Sequence, residues 1–264
     1  MIDACPPDSV GLRTDVYRYC SPTRGSFLTG RYPMRLSGTR ANLIPATLLD
    51  GINTTYTYLP RHLKQKGYSA HHIGKWHNGF YEYDMTPPGR GFDSSLGFLT
   101  GGEDHWTSTI GMPCASAGGG RSTVDLSYGW SSNRSVVPAV GLNGTYTGHT
   151  FSNRAVQLIR DHERSAPLFL YIALHNTHAP IESPPEYAGL YNHSQQKENE
   201  YLGQVTFVDH TVANITAALR ETELWANTLF VSLPEEALLT TLSSLLSSRE
   251  EALLSALHAT RKLC

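Results

Sequence analysis

The sequence predicts an α/β protein whose sheet is largely parallel, and two observations carry this prediction. Residues 168–174 form a continuous apolar run of strand length, which is typical of a strand covered on both faces. Helical patterns precede and follow that run, and a second apolar run occupies residues 228–233. Helix, buried strand, helix and buried strand in succession are typical of a layered α/β domain.

The first half of the chain has weaker patterns. Leu59 and Leu63 lie four residues apart and Gly67 supplies a stop, which predicts a helix around residues 58–66. Glycine- and proline-rich sequence follows, and there we expect only scattered regular structure. Residues 115–122, ASAGGGRS, have the composition of a flexible loop.

The second half has clearer periodicity. Apolar residues on one helical face predict a helix over residues 151–159, and a longer amphipathic pattern predicts another over residues 202–219. Composition changes at Pro234, after which residues 234–264 contain nine leucines and neither glycine nor an aromatic residue. This segment is predicted to be helical, either as an unrelated tail or as a cap on the domain.

Composition excludes several classes of partner. The 264 residues carry 21 Lys and Arg against 23 Asp and Glu, a net charge of −2. With this balance of charges the protein has no net positive potential that would attract nucleic acid or an anionic membrane. The longest apolar run is far short of the roughly 20 residues that span a bilayer, so no membrane span is expected.

Targeting signals point in two directions. The N-terminal residues lack the basic and apolar regions of a signal peptide. Five Asn-x-Ser/Thr sequons nevertheless favour passage through the secretory pathway, with a lysosomal or extracellular destination. The predicted glycosylation sites are Asn53, Asn133, Asn143, Asn192 and Asn214.

The stretch CSPTRGSFLTGR, which begins at Cys20, carries the strongest indication of chemistry. A cysteine beside a proline and an arginine can be a buried thiol in a turn. However, the guanidinium of Arg24 is always charged and can hold an anion or a deprotonated Cys20. A helix opening at residues 26–29 would add positive potential there. The residues therefore predict an anion pocket around Cys20.

The same stretch resembles the sulfatase motif Cys-x-Pro-Ser/Thr-Arg followed by Leu-Thr-Gly-Arg/Lys. Residues 67–79, GYSAHHIGKWHNG, resemble the second motif of that family. Lys75 and His77 are two residues apart, so on an extended segment their side chains leave the same face. A cation can hold an oxyanion and an imidazole can move protons. The alternative is a surface lysine beside a solvated histidine.

A third stretch, LHNTHAP, directly follows the apolar run at residues 168–174. Ligand and catalytic groups gather at the carboxyl ends of strands in α/β sheets. Sulfatases carry an active-site histidine at this strand end, and the position matches His178, whereas His175 is expected to pack. The sequences RGFD at residues 90–93 and APLFLY at residues 166–171 narrow the resemblance to the arylsulfatase B subgroup.

The resemblance implies the fold of alkaline phosphatases and sulfatases, a three-layer αβα sandwich with a largely parallel mixed sheet. Residues 1–233 would form part of a sulfatase N-terminal catalytic domain. Residues 234–264 would be a Leu/Ser-rich helical tail unrelated to the family.

The resemblance also implies the activity of a sulfuric ester hydrolase of the arylsulfatase type. A formylglycine-generating enzyme would oxidise Cys20, and the hydrated formylglycine would be the nucleophile. Lys75 and Arg24 would hold the charge of the sulfate. His178 would protonate the leaving oxygen, and His77 would assist release of sulfate. The substrate would be a sulfated small molecule or glycan.

The sequence departs from the family in its metal ligands. Sulfatases bind Ca²⁺ through an Asp-Asp and an Asp-Asn pair, because a hard cation needs such oxygen ligands. Upstream of Cys20 only Asp3, Asp8 and Asp15 occur, none beside another, and residues 233–236 read Leu-Pro-Glu-Glu where Asp-Asn-Gly-Gly is expected. The formylglycine at position 20 would be the one ligand present in an otherwise incomplete calcium site.

Three explanations and two alternative functions follow from this departure. The chain would be a fragment, an alternative transcript or a gene model with misjudged ends. In function, it would be a sulfatase or else a catalytically inactive, sulfatase-like protein that binds a sulfated ligand. Phosphatases and phosphonate hydrolases of the same fold are a third option, against which Cys20 argues, since those enzymes usually carry threonine or serine there.

Overall fold

A computed structural model describes residues 17, 19–36, 44, 50–112, 121–124, 127–130, 136–139 and 142–232. The helices of these residues are α1 (Cys20–Thr29), α2 (Leu59–Lys64), α3 (Thr147–Arg160), α4 (Pro185–Ala188) and α5 (Gln196–Glu221). The strands are β1 (Ser69–Lys75), β2 (Ser94–Phe98), β3 (Thr109–Met112), β4 (Arg121–Val124), β5 (Ser127–Trp130), β6 (Val136–Pro138) and β7 (Leu168–Ala173). Short 3₁₀ helices cover Pro33–Arg35, Tyr83–Met85, Pro88–Arg90 and Trp225–Asn227.

Five of the strands form one mixed sheet in the order β6-β5-β2-β1-β7. Strand β1 lies between β2 and β7 and is parallel to both, whereas β5 and β6 add antiparallel pairs at one side. Strands β3 and β4 form a separate antiparallel pair. Because β1, β2 and β7 point the same way, their carboxyl ends lie at one edge of the sheet, where sites in α/β proteins form.

Helices cover both faces of this sheet. On one face, Ile73 of β1 and Phe98 of β2 pack with Phe151 of α3 and Ile215 of α5. On the other face, Ala70 of β1 joins a second apolar cluster that includes Leu28 of α1. Alternation along β7 supplies both clusters, since successive side chains of a strand point to opposite faces. The result is the three-layer α/β arrangement that the sequence predicts.

The periodic segments are confirmed. The helix predicted around residues 58–66 is α2, the one over residues 151–159 is the longer α3, and the one over residues 202–219 is α5. The apolar run at residues 168–174 is β7, as predicted, but five of its six residues are only half-buried. Both faces of β7 carry packed side chains, as expected, and its partial exposure agrees with its place at the edge of the sheet, where it pairs with β1 alone within the described residues.

The strand predicted over residues 228–233 is wrong for its described part. Residues 228–232 have no regular structure and pair with no described strand. The apolar side chains there are exposed rather than buried: Leu229 by 89%, Phe230 by 41% and Val231 by 55%. An apolar segment forms a buried strand only where a neighbouring strand pairs with it. The sequence of the segment alone does not predict whether such a neighbour is present.

The glycine- and proline-rich sequence before residue 148 was expected to hold only scattered structure, and it contains β2 to β6, strands of three to five residues each that the sequence did not predict individually. Strand β2 has the sequence SSLGF, too short and too mixed to stand out. Its place is fixed by pairing with β1 and by Gly97, which lets the two backbones approach closely. The predicted loop at 115–122 ends within β4, and its other residues, like the tail at 234–264, lie outside the described residues.

None of the described helices combines the length and apolar character that crossing a bilayer requires.

Candidate active site

Helix α1 positions the first two candidate residues. Cys20 is the first residue of this helix, and Arg24 follows four residues later on the same face; both are buried. The helix thus starts at Cys20 itself rather than at residues 26–29, so the partial positive charge of its N-terminus lies at the thiol. Gly30 ends the helix in the left-handed conformation, with φ of 67°, and its N–H donates to the carbonyl of Ser26.

Lys75, in the second motif (residues 67–79), contacts the first motif, which begins at Cys20. It is the last residue of β1 and is fully buried, and its Nζ donates a hydrogen bond to Sγ of Cys20 at 3.2 Å. Nη1 of Arg24 donates to the carbonyl of Lys75 at 2.7 Å. The alternative of a surface lysine is therefore wrong. Two buried cations and a thiol, from segments 55 residues apart, form one compact group.

Three residues that the sequence did not single out as functional hold this group. The hydroxyl of Tyr171 accepts from Nη1 of Arg24 at 3.3 Å. His72 lies with Nε2 3.4 Å from the carbonyl of Lys75, and the hydroxyl of Ser95 lies 2.8 Å from its Nδ1. Burial lowers the pKa of His72 to about 3, so the ring is neutral, donating at Nε2 and accepting at Nδ1. His72 lies in residues 67–79 and Tyr171 in residues 166–171, but the resemblance gives neither residue a role, and each is an ordinary member of a strand.

His77 lies just past the end of β1 and is buried. Its φ of 54° takes it out of the extended conformation, so the expected alternation with Lys75 does not apply. Its Nε2 lies 2.9 Å from the carbonyl of Ile44, which can only accept, so Nε2 carries the proton and Nδ1 is the basic nitrogen. The N–H of Ile44 in turn donates to the hydroxyl of Ser21, the neighbour of Cys20. A solvated histidine is therefore the wrong alternative.

His178 follows β7 and is half-buried. Its Nδ1 lies 2.7 Å from the carbonyl of Ala179, so Nδ1 carries the proton and Nε2 is the basic nitrogen. Its ring centroid is 5.4 Å from that of His175, which is fully buried and packs against Phe98, as expected from the sequence.

The charges around His175 act on its pKa. Burial lowers the pKa of His175 well below its ordinary value, and the charges of His105, Lys75, His178 and Arg24 act in the same direction.

Two adjacent glycines, Gly101 and Gly102, lie close to the rings of His77 and His178. A Cβ on Gly101 would fall 2.6 Å from Cε1 of His77, and one on Gly102 would fall 3.4 Å from Cε1 of His178. Gly102 also lines a cleft of about 390 Å³ whose other wall includes Ala179 and Pro180, next to His178. The cleft is thus a neighbouring space in which the organic part of a substrate can lie.

The surroundings of Cys20 do not have the chemistry of a calcium site. Calcium takes six or more oxygen ligands, carboxylates above all. The structure instead places the ammonium group of Lys75 against Sγ of Cys20. No three or more His, Cys, Asp or Glu side chains among the described residues are arranged to hold a metal ion. The described residues by themselves do not fit calcium.

Known proteins are similar to this chain over most of its length. The family model described as Sulfatase matches residues 13–233. Mouse arylsulfatase J is 30% identical over 215 residues, which cover 80% of this chain and 34% of the relative. Human arylsulfatase G is 31% identical over 216 residues, covering 75% and 40%.

A solved structure is similar over most of the chain as well. The crystal structure of Ps i-CgsB in complex with k-i-k-neocarrahexaose has a TM-score of 0.65 and 26% sequence identity, and the match covers 80% of this chain and 47% of that one. The chain thus spans between a third and a half of the length of these proteins. Because the family model matches most of its length, this chain belongs to the sulfatase family.

Proposed function

We propose that the protein hydrolyses sulfate esters at residue 20, as a sulfuric ester hydrolase of the arylsulfatase type. One observation supports the proposal above all. The buried Nζ of Lys75 lies 3.2 Å from Sγ of Cys20, while Arg24 donates to the carbonyl of Lys75. Desolvated cations stabilise an anion strongly, because the low dielectric around them weakens the interaction little.

Formylglycine, made from Cys20 by a formylglycine-generating enzyme, would supply a hydrated aldehyde that attacks sulfur and afterwards lets sulfate leave. The chain's own residues then share the remaining tasks. Lys75 and Arg24 hold the negative charge of the sulfate group. His178, protonated at Nε2, gives that proton to the leaving oxygen, and His77 accepts a proton at Nδ1 when sulfate is released.

Calcium is the cation that the family resemblance implies, but these steps rest on Lys75, Arg24, His77 and His178 alone. The described residues provide no carboxylate cluster for a hard cation. The second candidate function is the binding of a sulfated ligand without turnover. In both cases the ligand is a sulfated small molecule or glycan, with the sulfate at Lys75 and the organic part towards the cleft beside His178.

We also propose that the protein passes through the secretory pathway to a lysosomal or extracellular destination. Four sequon asparagines are exposed and therefore open to N-glycosylation: Asn53, Asn143, Asn192 and Asn214. Asn133 lies outside the described residues. A shift in electrophoretic mobility on treatment with an N-glycosidase would support the proposal for chain secreted by animal cells.

The division of the chain at residue 233 is a proposal as well. If residues 1–233 are the domain and 234–264 a tail, a chain ending at residue 233 should unfold at the same urea concentration as the full chain. A large loss of stability would instead make the tail a structural cap.

The function is tested on chain made together with the formylglycine-generating enzyme. Mass spectrometry of the tryptic peptide of residues 19–24 should find an aldehyde in place of the thiol. Turnover of 4-nitrophenyl sulfate, absent in Cys20→Ala, would support hydrolysis, whereas binding of inorganic sulfate without turnover would support the binding alternative. Faster turnover of 4-nitrophenyl phosphate would contradict both and favour a phosphatase.

A further inference from the structure

A side chain of helix α5, that of Gln204, donates hydrogen bonds to the backbone that follows β7. Gln204 of α5 is fully buried, and its Nε2 donates to the carbonyl of Glu182 at 2.8 Å and to that of Pro180 at 3.3 Å. The same Nε2 lies 3.2 Å from Nε2 of His105. One amide group thus joins α5, the loop after β2 and the segment that contains His178.

His105 gives this arrangement its rigidity. Its buried ring stacks between Tyr146, at 5.2 Å and 12°, and His175, at 4.3 Å and 21°. Its backbone N–H also donates to the carboxylate of Glu182 at 3.2 Å. Burial lowers the pKa of His105 to about 4, so the ring stays neutral, while a hydrogen bond to the backbone of His178 acts on the pKa in the opposite direction.

We propose that Gln204 and His105 are positioning residues for His178. The two hydrogen bonds to Pro180 and Glu182 fix the backbone just after His178. The carbonyl that holds Nδ1 of His178 is that of Ala179, in the peptide bond that leads into Pro180, the first of these two residues. Gln204 and His105 therefore select the Nδ1–H tautomer of His178 and direct its Nε2, without contacting the sulfate. Only the use of His178 as the acid rests on the proposed function.

Gln204→Met tests this role, because it keeps the length and helix propensity of the side chain and removes its donors. Gln196→Met makes the same change at an exposed position at the start of α5 and is the matched control. Nitrogen-15 spectra of the histidine rings report the tautomer of each, and His178→Gln identifies the signals of His178. We expect the Nδ1–H form of His178 to predominate in the parent and in Gln196→Met, and both tautomers to be populated in Gln204→Met.

His105→Phe is the second variant, since it keeps a ring in the stack and removes the nitrogen. In His105→Phe, too, both tautomers of His178 should be populated. If Gln204→Met does not fold, His105→Phe alone tests the positioning role. Unchanged His178 spectra in the folded variants would overturn the proposal.

A second measurement separates this proposal from the proposed function. The affinity for inorganic sulfate should fall about two- to tenfold in Gln204→Met, the effect of one weakened hydrogen bond. If the parent binds no sulfate while the His178 tautomer still responds to Gln204→Met, the sulfate site is wrong and the positioning role stands.

Discussion

Lys75 is a fully buried ammonium group, and this burial determines how its replacement should act. Lys75→Met should weaken the binding of inorganic sulfate by about tenfold or more, since a hydrogen bond to a charged group contributes about 1.5–3 kcal/mol. Isothermal titration calorimetry measures this directly. Lys66→Met, at an exposed lysine of the same charge, is the matched control.

The same pair of variants supplies the outcome that would contradict this prediction. Equal sulfate affinity in Lys75→Met and Lys66→Met would show that Lys75 does not bind the sulfate.

Gly101 should be intolerant of a side chain because of His77. A Cβ there would lie 2.6 Å from Cε1 of a ring that the carbonyl of Ile44 already holds, so the ring must move. We expect Gly101→Ala to shift the nuclear magnetic resonance signals of His77 and to weaken sulfate binding. Gly102→Ala, whose Cβ would make ordinary contacts at 3.4 Å, should change both much less. Equal effects would show that the close approach at Gly101 is unimportant.

At the scale of residues, the sequence predicted the group at Cys20 but not its surroundings. Cys20, Arg24 and Lys75 belong to short motifs, and a motif keeps its residue types at fixed spacing. Tyr171 reaches Arg24 across 147 positions and Gln204 reaches His105 across 99. Such contacts depend on how strands and helices pack, and no local pattern records them.

At the scale of elements, the close approach of strands β1 and β2 predicts that a side chain between them lowers stability. Gly97 of β2 is in register with Gly74 of β1, and a Cβ on Gly97 would lie 1.9 Å from the carbonyl oxygen of Gly74. Gly97→Ala must separate the strands, and we expect it to lower the free energy of unfolding by about 3 kcal/mol or more. Urea denaturation measures the change.

Gly25→Ala is the control for that experiment. A Cβ on Gly25 would meet only the ends of the flexible Ile52 and Leu36 side chains, at 2.9 Å each. Alanine also favours the helical conformation of α1 by about 1 kcal/mol over glycine. Gly25→Ala should therefore be close to neutral, and a loss as large as that of Gly97→Ala would contradict the argument from strand spacing.

Elements with strong periodicity could be predicted, and those defined by their neighbours could not. Helices α3 and α5 and strand β7 follow from apolar patterns in their own sequences. Strand β2 has no such pattern and forms because β1 pairs with it. Residues 228–232 have the pattern without a described partner strand, and they remain exposed. Pairing, rather than local preference, decides these two cases.

At the scale of the whole molecule, buried histidines should make stability depend on pH. Burial lowers the pKa of His72 to about 3 and that of His105 to about 4, from an ordinary 6.5. Between these values the unfolded chain binds protons that the folded protein excludes. The free energy of unfolding should therefore fall as the pH decreases from 6.5 towards 4, by up to about 1.4 kcal/mol per pH unit for each histidine.

Urea denaturation at pH 7, 6 and 5 measures this slope, which should be absent above pH 6.5, where both states are neutral. His105→Phe should remove one histidine's share of it. His62→Phe, at an exposed histidine, should leave the slope as it is. A stability that stays level from pH 7 to pH 5 would contradict the prediction.

Cys20 is only 1% exposed once α1 lies against the sheet, so under the proposed function the formylglycine-generating enzyme would have to act before the domain closes. Closure needs β7, whose Tyr171 is 147 residues beyond Arg24. At a synthesis rate of about 5–20 residues per second, the ribosome takes roughly 7–30 s to make that stretch. The thiol of the emerging chain would thus stay accessible for seconds, and the relative rates of oxidation and folding would set the fraction of molecules that become active.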